Sequence, residues 1–195
     1  MRIIAGEYKG RIIKVPKGLE IRPTTDRVRE SMFNSLNSIY GPLDNATVLD
    51  AYAGSGALGF EAVSRGAKKL FSFEWNKKNY QNLVNNFQIF KDSTADVKLY
   101  LSDVEKANFS YILKNCKLDI LFFDPPYANL PSNVLAILVA AAKDNCIDPN
   151  AVIVYEHAAK DSFDAYEDLF AMENFILAKS KTYGDIAVEY LRFGV

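Results

Sequence analysis

Cysteine, histidine and tryptophan are scarce, with two, one and one among 195 residues. Cys116 and Cys146 stand apart, without C-x-x-C spacing or a histidine cluster, so neither a disulfide framework nor a zinc ligand set is present and no metal site is expected. The one histidine, His157, reads as a structural residue at a strand end. No apolar run approaches the roughly 20 residues needed to span a bilayer, and Met1-Arg2-Ile3-Ile4-Ala5-Gly6 is too short for a signal-peptide core. A reducing, cytoplasmic setting is therefore expected. Internal repeats and low-complexity segments are absent as well, and a formal net charge of −1 removes any overall pull toward polyanions.

What remains is an ordinary globular composition, 49% hydrophobic and 24% charged, long enough for one α/β core. One domain over 1–195 is expected, with residues 1–20 as an extension and 21–195 as the core. The small net charge hides an asymmetry. Residues 1–29 carry eight basic residues against three acidic ones, a surplus of five that the rest of the chain more than balances. A basic arm on an acidic body suits phosphate backbone held at one place, although a solvated charged face gives the same pattern. Arg2-Ile3-Ile4 and Arg11-Ile12-Ile13-Lys14-Val15 alternate apolar and basic positions and predict a short hairpin with a basic rim. After Pro23, Thr25 or Asp26 is placed to cap a helix with Val28, Met32, Phe33 and Leu36 on one side. Arg27 and Arg29 near its start oppose the helix dipole, a misfit that a ligand or a neighbouring carboxylate would explain.

From Val48 onward, strands and helices alternate: strand 48–53, helix 58–65, strand 69–75, helix 77–91, strand 97–101, strand 118–124, a helix near 132–145 and strand 151–156. That rhythm means a mostly parallel, doubly wound sheet with helices on both faces, which binds ligands at the carboxyl ends of its strands. The tail departs from it. Ile176–Ser180 and Ala187–Phe193 flank Tyr183-Gly184-Asp185 and predict an antiparallel hairpin at the sheet edge.

Four strand ends carry the chemistry. Val48-Leu49-Asp50 followed by Ala-Tyr-Ala, Gly54, Gly56 and Gly59 reads as a buried strand ending in an acid, a glycine turn and a helix start. The glycine spacing fits a dinucleotide, but the Asp50 carboxylate opposes a pyrophosphate and favours a cationic nucleoside, S-adenosyl-L-methionine, over NAD. The bland alternative makes Asp50 a helix cap and the glycines a tight turn. Glu74, about 20 residues on, is placed to take ribose hydroxyls. Asp103 is placed to accept from an adenine amine, or simply to cap a loop. Asp124-Pro125-Pro126-Tyr127 follows an apolar run. The prolines fix φ and remove two backbone donors, so the Asp124 carboxylate and the Pro125 carbonyl can both serve as acceptors for an exocyclic –NH₂. Tyr127 offers a ring for a flipped-out base. A rigid turn with a packing tyrosine is the plainer reading.

This order of motifs resembles the class I S-adenosylmethionine-dependent methyltransferases of exocyclic amines. More narrowly, Arg2-Ile3-Ile4-Ala5-Gly6, Arg22-Pro23-Thr24-Thr25-Asp26-Arg27-Val28-Arg29-Glu30-Ser31 and Ala53–Gly59 resemble the bacterial RsmD family, whose members methylate N2 of guanine 966 in 16S ribosomal RNA. The resemblance implies a seven-stranded Rossmann-like sheet and direct methyl transfer without a metal. It implies that Asp50, Gly54 and Gly56 line the methionine end of the donor, Glu74 the ribose and Asp103 the adenine. Thr25 and Arg27 would cover the donor, and Asp124, Pro125, Pro126 and Tyr127 would hold the target amine. Arg2, Lys9, Arg11 and Lys14 would meet RNA, the partner being 16S ribosomal RNA or an assembling small subunit, with the enzyme a monomer. Other readings stay open: a DNA-adenine or protein-amide methyltransferase, since the tetrapeptide fits both, and an RNA-binding assembly factor without activity.

Overall fold

The structure is a computed structural model that describes residues 1–15, 25–126 and 130–194. In chain order its strands are β1 (Thr47–Asp50), β2 (Lys69–Glu74), β3 (Asp96–Leu101), β4 (Leu118–Phe123), β5 (Ile147–Ala158), β6 (Phe175–Tyr183) and β7 (Ile186–Phe193). The helices are α1 (Asp26–Ile39), α2 (Ala57–Ser64), α3 (Lys77–Phe87), α4 (Phe109–Leu113), α5 (Pro131–Lys143) and α6 (Asp164–Met172). All seven strands form one sheet in the order β3-β2-β1-β4-β5-β7-β6. The pairs among β1 to β5 are parallel, and β7 is antiparallel to both β5 and β6.

Successive side chains of the central strands point to opposite layers, because side chains alternate along a strand. Val48, Leu70, Ile120 and Val152 pack with Phe33, Leu36, Phe60 and Leu83 of α1, α2 and α3. Leu49, Phe71, Leu121 and Ile153 pack with Phe109, Leu138 and Phe170 of α4, α5 and α6. Continuous apolar runs are what a sheet covered on both faces requires.

The expected edge hairpin is present, and of its two strands β6 forms the edge while β7 lies inside the sheet. Ile186 to Leu191 is buried without a break, whereas β6 alternates in exposure, so β7 suits an interior place and β6 a rim. Gly184, at φ 63°, makes the turn between them. The strand expected at 48–53 ends at Asp50. The helix expected at 77–91 ends at Phe87 and continues as one 3₁₀ turn, Gln88–Phe90. Helices α4 and α6 carry little periodic signal, the second burying only Phe170.

The expected basic hairpin is present in short form: Arg2 pairs antiparallel with Ile12, the Ile3 N–H donates to the Arg11 carbonyl at 2.9 Å and the Ile13 N–H to the Met1 carbonyl at 3.0 Å, and α2 holds its backbone in place. The buried Glu61 carboxylate accepts from the backbone N–H groups of Ile4 (2.7 Å) and Ala5 (3.0 Å) and pairs with Arg65 at 2.8 Å. Ser64 Oγ accepts from the Tyr8 N–H and donates to the Ala5 carbonyl. Gly6 sits at φ 82°, and a Cβ there would lie 1.7 Å from the Ser64 carbonyl oxygen. Arg29 resolves the misfit at the start of α1: its guanidinium is buried, donates to the Arg2 carbonyl and pairs with Asp26 at 3.0 Å.

Glu61→Ala removes the acceptor for two backbone donors and strands Arg65. Urea denaturation of that variant should show a loss of roughly 3 kcal/mol. Amide exchange should accelerate first at residues 3–8; unchanged protection there would refute this account of the arm.

Candidate active site

The four expected acids lie at the carboxyl ends of adjacent parallel strands. Asp50 ends β1, Glu74 ends β2, and Asp103 and Asp124 follow β3 and β4. After Asp50 the chain stays tied to the neighbouring strands, with the Ala51 N–H on the Phe122 carbonyl and the Ala53 N–H on the Phe73 carbonyl. It then turns through Gly54 (φ 53°) and Gly56 (φ 84°). Gly56 caps α2, and a Cβ there would meet the Phe60 ring at 2.3 Å and Leu83 at 2.6 Å. At Gly54 a Cβ would find only the Tyr52 carbonyl oxygen, at 3.9 Å, so that face of the turn is open to a ligand. A Cβ at Gly59 would come within 2.9 Å of the Asp50 carboxylate, so glycine permits the 3.0 Å hydrogen bond from its N–H to Asp50 Oδ2.

Glu74 ties the loops together. Its Oε2 accepts from the Gly54 N–H at 3.1 Å and its Oε1 from the Asn76 N–H at 2.7 Å, while Asn76 caps α3. Asp103 caps the short 3₁₀ turn that follows it through the Glu105 N–H and lies 3.6 Å from Lys106, the capping role that was the plainer reading of this residue. Thr25 caps α1 through the Val28 N–H, and Arg27 is exposed in its first turn. Pro125 is buried and Pro126 exposed, whereas Tyr127 lies outside the described residues.

Burial raises the acids. Asp50 is pushed up to about 7, chiefly by desolvation and further by the charges of Asp124 and Glu74, against the opposing hydrogen bond from Gly59. Asp124 is pushed up to about 6 by desolvation, and Glu74 moves up for the same reason despite its backbone donors. No lysine or arginine among the described residues pairs with Asp50 or Asp124. A crevice of raised carboxylates, with no cation paired to Asp50 or Asp124 among the described residues, suits a positively charged ligand.

The basic candidates share the N-terminal segment. Arg2 pairs with Asp26 at 2.8 Å. Arg11 lies over the Tyr8 ring at 4.7 Å and donates to the Ile89 carbonyl, and Lys9 and Lys14 are exposed. Asn86 was not anticipated. This buried residue of α3 accepts from the Lys14 N–H and donates to the carbonyls of Lys14 and Ser55, joining the arm to the glycine turn. A polar side chain within the apolar stripe of α3 was the one available signal.

The family described as Conserved hypothetical protein 95 matches residues 1–192. The chain belongs to that family. Among relatives of the Conserved hypothetical protein 95 family, Ribosomal RNA small subunit methyltransferase D of Haemophilus influenzae is 34% identical over 191 residues, 96% of this chain and 91% of the relative. Putative rRNA methyltransferase YlbH of Bacillus subtilis is 30% identical over 184 residues, 94% of each. The solved structure of putative methyltransferase yhhF from Escherichia coli superposes with a TM-score of 0.75 at 29% identity, covering 100% of this chain and 99% of that one. Putative methylase HI0767 of Haemophilus influenzae gives 0.70 at 31% identity, covering 99% and 98%. The family match starts at residue 1, so it takes in the basic arm with the four strand ends.

The raised acids set a sign for stability against pH. A carboxyl whose folded value lies above its unfolded one favours folding while protonated, and that contribution is lost as pH rises through the folded value. Without ligand, Asp50 therefore costs stability as pH rises toward and past 7. Asp50→Asn should raise the melting temperature of the ligand-free protein at pH 8 more than at pH 5, by differential scanning fluorimetry; an equal shift at both would count against it.

Proposed function

We propose that this protein transfers a methyl group from S-adenosyl-L-methionine to the exocyclic N2 amine of a guanine in 16S ribosomal RNA, guanine 966 by family resemblance. The observation that carries the reading is the convergence of buried Asp50 and half-buried Asp124, neither paired with a cation among the described residues, beside a glycine turn with an open face. The donor is doubly cationic at its reacting end, through an amino group and a sulfonium, and these carboxylates fit that charge. It supplies an electrophilic methyl group to the acceptor nitrogen.

The chain's own residues bind, orient and neutralise. Asp50 faces the donor's amino group, the open side of Gly54 lets the donor lie against backbone, and Glu74 takes ribose hydroxyls while its backbone donors hold it in place. Asp103 retains acceptor capacity beyond its cap and is assigned to the adenine amine. Thr25 and Arg27, at the start of α1, are assigned to cover the donor. Asp124 and the Pro125 carbonyl accept the two amine hydrogens, drawing the nitrogen lone pair out of ring conjugation. The Asp124 carboxylate opposes the positive charge that develops on the nitrogen, and positioning supplies much of the remaining rate. Pro126 keeps the turn rigid, and Tyr127 is assigned to stack on the base. Arg2, Lys9, Arg11 and Lys14 form the RNA-binding arm.

Three measurements test this reading. Purified protein should transfer labelled methyl to 30S particles or 16S RNA from cells lacking the gene, and the product should digest to N2-methylguanosine. Asp124→Ala should reduce turnover by about a hundredfold or more while S-adenosylmethionine still binds; a retained rate would refute the amine role. Binding of the donor should also strengthen from pH 5 to pH 8, as Asp50 and Asp124 become ionised, with proton uptake by the buffer visible in calorimetry. A flat affinity across that range would separate these acids from the donor.

A further inference from the structure

Beyond the Pro125-Pro126 turn lies a cavity of about 390 Å³ that none of the donor-binding residues lines. It opens between the β4–α5 connection and the β5–α6 connection, with Tyr155, His157 and Tyr166 among its walls. Its volume falls in the range of about 300–1,000 Å³ typical of small-molecule sites, enough for one nucleotide. Prolines and tyrosines on its walls suit a flat ring, and Pro125, the residue after Asp124, is part of its lining.

Three neighbouring polar residues, Lys160, Asp161 and Ser162, reach the same cavity. A turn places them, with the Asp161 N–H on the Ala158 carbonyl at 2.9 Å. Asp161 is exposed, and its carboxylate makes no hydrogen bond or ion pair with the described residues. Two acid–base groups of the wall, His157 and Glu156, are committed elsewhere. His157 places Nδ1 3.0 Å from the Ala158 carbonyl and Nε2 3.2 Å from Glu189 Oε1. Glu156 is buried and already has a partner.

We infer that this cavity receives the flipped-out target base, with Asp161 accepting from guanine N1–H and Lys160 donating to O6 while Asp124 holds the N2 amine. The inference rests on the methyl-transfer reading and adds its base selectivity. Guanine presents N2–H₂, N1–H and O6 in a row along one edge, donor, donor and acceptor. Asp124, Asp161 and Lys160 supply acceptor, acceptor and donor in answer. Adenine places a lone pair at N1 beside its amine, so the Asp161 carboxylate repels it and leaves itself desolvated without a partner. A site with a proton acceptor at this position selects guanine over adenine among bases with exocyclic amines.

The test uses the full chain, 30S particles from cells lacking the gene, and labelled S-adenosylmethionine. Asp161→Asn should lower kcat/KM for the particles by about tenfold or more, mainly through KM. The affinity for S-adenosylmethionine and the melting temperature should stay at wild-type values, and Asp161→Glu should recover part of the loss. Wild-type kcat/KM in Asp161→Asn overturns the inference alone, as does a loss accompanied by weakened donor binding. A wild-type protein that methylates no guanine in these particles overturns the function and this inference together.

Discussion

Negative charge held out of water at the strand ends is the constraint on which the rest of the structure depends. Desolvation raises Asp50 to about 7 and Asp124 to about 6, and the charges of Asp124 and Glu74 add to the shift at Asp50. A fold selected only for stability would pair them or replace them. Here the glycine turn, the cap of α2 and the Gly54 and Asn76 donors to Glu74 all serve to keep carboxylates in one crevice. The protein carries local destabilisation that a cationic nucleoside relieves, which fits the general pattern of strain and shifted acidity gathered at reacting centres.

The basic arm depends on the same crevice through a different route. Glu61 and Ser64 of α2 bind its backbone, and Asn86 of α3 joins Lys14 to the carbonyl of Ser55 inside the glycine turn. The segment assigned to nucleic acid is thereby connected to the segment assigned to the donor. Arg2 is tied to Asp26 at the start of α1, which Thr25 caps.

Much of this was legible in the sequence because parallel strands covered on both faces write themselves as apolar runs, and Asp50, Glu74, Asp103 and Asp124 fall at their ends. The glycine spacing was legible for a steric reason, since Gly56 and Gly59 have no room for a Cβ. Other features were not. Alternation predicted the hairpin of the arm but not what holds it: Glu61 and Ser64 of α2, more than fifty residues away, bind its backbone, and local sequence cannot name that partner. Helices α4 and α6 are too short or too exposed to leave a periodic trace. The interior place of β7 followed from unbroken burial that a run such as Ile-Ala-Val-Glu-Tyr-Leu only partly announces, with the buried Glu189 interrupting it. The cavity wall at 160–162 sits on a charged loop whose sequence, Lys-Asp-Ser, resembles any solvated turn.

The insertion of β7 between β5 and β6 has a consequence for biogenesis. Each parallel strand from β1 to β5 can dock as it is synthesised, but β6 has no neighbour until Ile186–Phe193 arrives to fill the gap. A nascent chain halted before those residues leave the ribosome exposes an unpaired β5 rim over Val152–Ala158 and an unattached β6. Completion of the sheet is thus deferred until β7 has been synthesised, and a premature stop ahead of Ile186 leaves an adhesive edge rather than a slightly shortened enzyme.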